Sequence, residues 1–208
     1  MIKVCLVDDH KMMSEGLKTL LQEDKSISVI NEAESAAQFF EILKPEAWDV
    51  IILDISLPDE NGLSILKKIR AKDKTVPVLI LTMYNEEQYG IRAFKAGASG
   101  YMTKDAAPDD LILAVKKLSD GHRYITPNLG ELLADSLQKQ SVVSHDELSD
   151  REFEVLKLIG KGKSLSEIGT QFSLSIKTIS TYRTRILSKM GFSNNADIIR
   201  YCINNHVE

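Results

Sequence analysis

Five residues whose side chains could handle a phosphoryl group stand at the ends of short apolar runs. Asp8 and Asp9 follow Ile2 to Val7, Asp54 follows Val50 to Leu53, Thr82 follows Val78 to Leu81, and Lys104 comes two residues after Ser99 to Met102. Three carboxylates, a hydroxyl and an ammonium form a coherent set. Mg²⁺ is a hard cation that takes oxygen ligands and keeps several waters, so Asp8, Asp9 and Asp54 could hold it and leave positions for phosphoryl oxygens. A carboxylate can also attack phosphorus and form an aspartyl-phosphate while a cation neutralises the transferring group. Asp54 and Lys104 suit those two roles.

These residues meet only if the runs that carry them lie side by side. Together with Ser28 to Asn31, the runs read as five short strands, apolar and rich in β-branched residues. Between them lie stretches with apolar residues three and four apart, such as Leu17, Leu20, Leu21 and Leu63, Leu66, Ile69, which read as helices. Alternation of this kind implies a parallel sheet covered on both faces, here a five-stranded doubly wound domain over residues 1–120. In such a sheet ligands bind at the carboxyl edge, where all five chemical residues fall.

The rest of the chain differs in composition. Of 208 residues, 43% are hydrophobic and 27% charged, values of a globular protein, with no apolar run near the roughly 18 residues of a membrane span. Two carboxylates interrupt the first apolar stretch before a signal-peptide core can form, so a cytoplasmic location is expected. Cys5 and Cys202 sit in apolar surroundings at opposite ends and read as buried thiols. The net charge of −4 is unevenly spread: residues 1–125 hold 16 Lys and Arg against 20 Asp and Glu, and residues 148–208 hold 9 against 6. A basic carboxy-terminal module on an acidic body suggests a polyanion as partner. Residues 121–147, with Gly121, Pro127, Gly130 and the polar run 138–141, read as a linker with a helix at Leu129 to Leu137.

From Leu148 on the periodicity is helical only. Ser149 with Glu152 forms a capping-box signature, and the helix it opens ends near Gly160 and Gly162. A short helix, Ser166 to Phe172, a tight turn, and a helix from Ile176 to Met190 give a helix-turn-helix pattern. On the long helix Ile176, Ile179, Ile186, Leu187 and Met190 share one side. Lys177, Thr181, Thr184, Arg185 and Ser188 lie opposite, offering hydroxyls to base edges and cations to phosphates. Arg183 falls on the apolar side, so its stem is expected to pack and its head to reach Glu152, Glu154 or a phosphate.

The set Val7-Asp8-Asp9-His10, Ile52-Leu53-Asp54-Ile55-Ser56-Leu57-Pro58, Leu81-Thr82 and Gly97 to Lys104 resembles the receiver domain of bacterial two-component response regulators. Leu148-Ser149-Asp150-Arg151-Glu152 and Ser175 to Tyr182 resemble the LuxR-type helix-turn-helix domain. In this order the two are similar to NarL/FixJ response regulators, most like the BvgA and GacA subgroup. The resemblance implies that Asp54 is the phosphoacceptor, Asp8 and Asp9 the metal-side acids, Thr82 and Tyr101 the switch pair, and Lys104 the phosphate-binding lysine. Tyr101 would turn inward as phosphate draws Thr82 toward Asp54. Met83 stands where alanine is common and bears on phosphodonor access, Gly169 replaces an alanine, and Tyr182 replaces a histidine.

The expected protein is therefore a transcription regulator, not an enzyme, though its receiver assists phosphoryl transfer and hydrolysis at Asp54. A sensor histidine kinase would supply the phosphoryl group. Dimerisation and binding to double-stranded DNA would follow, with RNA polymerase as a further partner and no membrane contact. Ser180, Thr181 and Thr184 would read bases while Lys177, Arg185 and Lys189 grip phosphates. The last helix, Ala196 to Asn204, with Ile198, Ile199, Cys202 and Ile203, would supply a homodimer contact. Two alternatives are an aspartate-nucleophile phosphatase, which usually needs an Asp-x-Asp first strand, and a ligand-sensing LuxR-type regulator, which needs a cavity in place of the acidic cluster.

Overall fold

The protein is described by a computed structural model covering residues 1–44, 47–138, 145–205 and 207, and it divides into two compact units, Met1–Gln138 and Lys139–Glu208. In the first, β1 (Ile2–Val7), β2 (Ile27–Ala33), β3 (Val50–Leu53), β4 (Val78–Thr82) and β5 (Gly100–Thr103) form a parallel sheet in the order β2-β1-β3-β4-β5. The connections are α1 (Lys11–Glu23), α2 (Ala36–Ile42), α3 (Gly62–Lys72) and α4 (Glu86–Ala96), and α5 (Pro108–Ser119) follows β5. β3 and β4 are buried along their whole length, as strands covered on both faces must be. On one face Val4, Leu6, Val50, Ile52, Leu79, Leu81 and Met102 pack with Leu21 of α1 and with Leu111, Ala114, Val115 and Leu118 of α5. The alternate residues Cys5, Val7, Ile51, Leu53 and Ile80 point the other way, by the two-residue period of a strand. The strand order reverses between β1 and β3, which opens a crevice beyond their carboxyl ends.

The start of the expected linker belongs to this first unit. Tyr124 N donates to Ser99 O at 3.1 Å beside β5, and α6 (Pro127–Gln138) packs on α4. Leu129 is fully buried over Gly90, where a Cβ would lie 2.5 Å from Leu129 Cδ1. Beside this knob, Thr126 Oγ1 donates to Glu86 Oε1 at 2.7 Å, and Asn128 Nδ2 donates to Glu86 Oε2 at 2.9 Å and Glu87 Oε1 at 3.0 Å. One apolar knob in a glycine hole, flanked by acceptors, docks a stretch whose composition alone reads as connector. The remainder of the expected linker includes residues 139–144, which lie outside the described residues.

Among its described residues the second unit has a 3-10 turn (His145–Glu147) and four helices, α7 (Asp150–Gly160), α8 (Leu165–Gln171), α9 (Ile176–Met190) and α10 (Asn195–Asn204). Capping boxes start two of them. Ser149 Oγ accepts from Glu152 N and Ser149 N donates to Glu152 Oε2 at 2.8 Å, and Ser164 and Glu167 repeat the arrangement. Cys5 and Cys202 are free and buried, and burial pushes their thiols up to about 12 and about 11, so neither is a thiolate near neutral pH.

Leu129→Ala should leave a cavity over Gly90 that costs about 2–4 kcal/mol and should release α6. Hydrogen exchange should then show protection lost across α6 while the amides of β3 and β4 keep theirs.

Candidate phosphoryl site and candidate DNA interface

Backbone hydrogen bonds at the strand ends gather the chemical residues. Asp54 N donates to Val7 O at 2.9 Å and ties the end of β3 to β1, and Lys104 N donates to Thr82 O at 2.8 Å and ties β5 to β4. Behind Asp54 the chain folds tightly: Gly62 N donates to Ile55 O at 2.8 Å, and a Cβ at Gly62 would lie 2.1 Å from Asp54 O. Only glycine permits that approach, so Gly62 sets where Asp54 sits. Asn61-Gly62 is a turn signal in the sequence, but its role toward Asp54 depends on the loop path, which the sequence does not show.

In the crevice Lys104 Nζ lies 2.6 Å from Asp8 Oδ2 and 2.8 Å from Asp54 Oδ2, with all three side chains 2–3% exposed. Burial alone would lower the pKa of the ammonium, but hydrogen bonds and charge from Asp54 and Asp8 outweigh burial and hold it above its ordinary value. Asp9 completes the cluster at the rim, its side chain 31% exposed. Donor atoms of Asp8, Asp9, His10 and Asp54 all lie within 4.8 Å of one another. Three carboxylates against one ammonium leave a charge of −2, and Asp9 Oδ1 has no hydrogen-bond partner among the described residues. A divalent, oxygen-preferring cation fits both the charge and the donors. The Thr82 hydroxyl is buried at the end of β4 and also has no hydrogen-bond partner among the described residues.

All five sequence-predicted residues therefore converge. Tyr101 departs from expectation because it is already inward: fully buried, its hydroxyl donates to Tyr84 O at 2.8 Å, and burial, with nearby acidic charge, holds its pKa far above the ordinary phenol value. Met83 is 72% exposed beside Thr82.

The second unit presents α9 much as its periodicity predicts. Lys177, Thr181, Thr184 and Arg185 are exposed and Ser180 is half-buried, while Ile179, Ile186 and Met190 face the core. Thr181 Oγ1 donates to Lys177 O and Thr184 Oγ1 to Ser180 O, each at 3.0 Å, which leaves the hydroxyls acceptor lone pairs and their methyls for an outside partner. Four details differ from expectation. Ile176 is 56% exposed because it immediately follows the Ser175 cap, before the helix enters the core. Arg183 Nε donates to Asn195 Oδ1 at 2.5 Å, reaching neither Glu152 nor Glu154. Lys189, expected to grip phosphate, places Nζ 2.6 Å from Glu152 Oε2, a carboxylate only 3% exposed, while its own side chain stays 40% exposed. On α10, Ile198 and Cys202 are buried, Cys202 against Gly160 of α7, and Ile203 is 67% exposed. The apolar surplus of the last helix is thus smaller than its sequence suggests. Gly169 is explained by the turn between α8 and α9: a Cβ there would lie 2.8 Å from Leu174 O.

A doubly wound sheet with paired acids, an acid, a hydroxyl and a lysine at successive strand ends, joined to a helix-turn-helix unit, defines the response-regulator class. Comparison with protein families matches residues 4–116 to the response regulator receiver domain and residues 146–202 to the luxR family of bacterial regulatory proteins. The chain is 32% identical to the response regulator UvrY of Escherichia coli over 98% of this chain and 94% of that protein. It is 30% identical to the response regulator GacA of Pseudomonas aeruginosa over 95% of this chain and 94% of that protein. Among solved structures, RcsB of Salmonella enterica serovar Typhimurium, bound to the promoter P1flhDC in the presence of phosphomimetic BeF₃⁻, superposes with a TM-score of 0.67 at 26% identity, over 96% of this chain and 97% of that one. The chain belongs to the NarL/FixJ two-component response regulators, the group that includes GacA and UvrY. It is a DNA-binding transcription regulator, and among its described residues no helix is long and apolar enough to cross a membrane.

Glu152 yields a prediction about pH. Burial alone would raise its pKa, but hydrogen bonds from Lys189 and Ser149 prevail and hold it below the ordinary carboxylate value of 4.5. A carboxyl whose pKa falls on folding stabilises the fold above its unfolded value, and that contribution is lost as pH drops through the folded value. Lys189→Ala should therefore move the acid-unfolding midpoint of the second unit upward. At neutral pH it should cost about 1–2 kcal/mol, below the figure for fully buried pairs because the Lys189 side chain is 40% exposed. Circular dichroism against pH, wild type beside variant, measures both.

Proposed function

We propose that Asp54 takes a phosphoryl group from a sensor histidine kinase and that this switches dimerisation and sequence-specific DNA binding by residues 148–208. The observation that carries this reading is the buried pairing of Lys104 with both Asp8 and Asp54, with Lys104 N also bound to the carbonyl of Thr82, whose hydroxyl has no hydrogen-bond partner among the described residues. An Asp54 carboxylate oxygen attacks the phosphorus of a phosphohistidine, the new P–O bond forms as the P–N bond breaks, and the imidazole leaves. Mg²⁺, held by Asp8, Asp9 and Asp54, would neutralise charge on the phosphoryl oxygens. Lys104 is already 2.8 Å from Asp54 Oδ2 and needs little movement to pair with a phosphoryl oxygen instead. Thr82 Oγ1, with a proton to donate and no acceptor among the described residues, gains one in the phosphoryl group. Attack of water on the same phosphorus, with the same residues holding the oxygens, returns Asp54 to its starting state.

Within α9 we assign base reading to Ser180, Thr181 and Thr184 and phosphate contacts to Lys177 and Arg185, with Lys189 reserved for Glu152. Two copies would bind inverted half-sites as a homodimer in the cytoplasm, and RNA polymerase would read the result.

With a phosphorylated kinase domain and Mg²⁺, Asp54→Asn should gain no acid-labile phosphate, and wild-type labelling in that variant would reject the assignment. Thr82→Ala should still be labelled but lose most of the gain in DNA affinity, a gain of about 5 to 150-fold for a coupling of ordinary size. Competition titrations across salt concentrations address the DNA face. Lys177→Ala and Arg185→Ala should each lower the salt slope by about 1, Lys189→Ala should leave it unchanged, and Thr181→Ala should alter sequence preference.

A further inference from the structure

Two devices on one face of α4 hold α6 to the first unit, because Glu86 and Gly90 stand four residues apart on that helix. Glu86 Oε1 accepts from Thr126 Oγ1 at 2.7 Å, and Asn128 Nδ2 bridges Glu86 Oε2 at 2.9 Å and Glu87 Oε1 at 3.0 Å. Thr126 also caps α6, its Oγ1 accepting from Leu129 N at 3.1 Å. The two carboxylates thus lie at the positive end of a second helix as well as of their own. One turn further along α4, Leu129 fills the hole over Gly90. The chain reaches this dock from the outer edge of the sheet, where Tyr124 forms a parallel bridge with Gly100 of β5. Asp54 ends β3, which lies on the other side of β4 in the order β2-β1-β3-β4-β5.

We infer that α6 is a latch, closed in the unphosphorylated chain and released when Asp54 carries a phosphoryl group. The inference rests on the reading of Asp54 as phosphoacceptor and of Thr82 as the hydroxyl drawn to it. That pull is directed toward β3, and it acts on a strand end four residues before Glu86. Thr126 and Asn128 are held from the opposite side by the bridge to β5, so Glu86 is drawn away from them. A shift of roughly 1 Å takes bonds of 2.7–3.0 Å out of hydrogen-bonding range. Gly90 moves with Glu86, since both ride on α4, and a knob in a hole that one Cβ would fill has no intermediate seat, so docking is lost in a step. Release adds residues 126–138 to the connection between the two units. The length of that connection sets how readily the second DNA-binding unit of a dimer reaches its half-site.

The test is hydrogen exchange of the full chain with and without BeF₃⁻ and Mg²⁺, together with titration of BeF₃⁻ binding. In the wild type BeF₃⁻ should accelerate exchange across α6 by at least about 5-fold while β3 and β4 keep their protection. Gly90→Ala closes the hole, since the added Cβ would lie 2.5 Å from Leu129 Cδ1, and it suits α4, where alanine is the better helix former. Without BeF₃⁻ this variant should expose α6 to the same degree. Coupling is reciprocal, so it should also bind BeF₃⁻ more tightly, by the factor by which BeF₃⁻ loosens α6 in the wild type. Glu86→Gln, which turns an amide toward the Asn128 amide, should act in the same direction. Unchanged α6 exchange on BeF₃⁻ binding overturns the latch, as does a Gly90→Ala protein with α6 released and wild-type affinity for BeF₃⁻. Retained protection of α6 in both variants overturns it too, because the knob and the carboxylates would then not be what holds the helix. Asp54→Asn separates these results from failure of the underlying reading: if the wild type binds no BeF₃⁻, or this variant binds it equally well, Asp54 is not the acceptor and the latch falls with it.

Discussion

Lys104 reaches two carboxylates in a crevice where all three side chains are 2–3% exposed, and Asp9 adds a third negative charge at the rim. Removing one member of such a buried pair leaves an uncompensated charge and costs about 3–5 kcal/mol, so this meeting of strand ends constrains the sheet that makes it. The cross-strand bonds from Asp54 N to Val7 O and from Lys104 N to Thr82 O, and the glycine at 62, are the means of holding it. The pairing is also incomplete. One ammonium cannot balance three carboxylates, and a surplus of two negative charges, most of it on buried side chains, favours arrival of positive charge. A site that is ordered but electrostatically unfinished can be stable alone and still respond strongly to a phosphoryl group and its cation.

That response has a defined set of neighbours within the first unit. Thr82 ends β4, the chain continues through Met83 to Tyr84, and the Tyr101 hydroxyl holds Tyr84 O and Asn85 O. Asn85 caps α4, and Glu86, the first residue of α4, accepts from Thr126 and Asn128 of the α6 segment. Two residues after Thr82, then, the chain enters a hydrogen-bonded run that ends on the helix leading out of the unit. Each link is a backbone carbonyl, a cap or a buried knob with few alternative positions, which is the kind of contact that changes in steps.

The acids, Thr82 and Lys104 were legible because each follows an apolar run directly, and strand ends are readable from period and composition. Ser149 with Glu152 was legible for a similar reason, since the spacing of a capping box is its geometry. What escaped depends on the path of the chain in space. The docking of α6 depends on Gly90 lying under Leu129, 39 positions away in sequence. On a helical wheel Lys189 reads as a phosphate contact and Arg183 as a cation bound for Glu152, Glu154 or a phosphate, yet Lys189 finds Glu152 and Arg183 finds Asn195. Long cationic side chains reach across several residues' worth of surface, so a wheel gives their direction but not their partner.

The pairing of Lys189 with Glu152 bears on the proposed DNA contact. Taking Lys177 and Arg185 as the phosphate contacts of α9, a single copy would lose only about 12-fold in affinity between 50 and 200 mM salt, and a pair of copies about 150-fold. The electrostatic grip of one reading helix is therefore shallow, consistent with an overall charge of −4 that gives the whole chain no general attraction to polyanions. A regulator built this way gains little by approaching DNA as a monomer. Joining two copies doubles the phosphate contacts and the base contacts at once, and the entropy of bringing the second helix to its half-site is met in advance by the protein contact. On the proposed reading, weak single-copy binding would let control of dimerisation serve as control of DNA occupancy, because a tighter helix would hold DNA in either state.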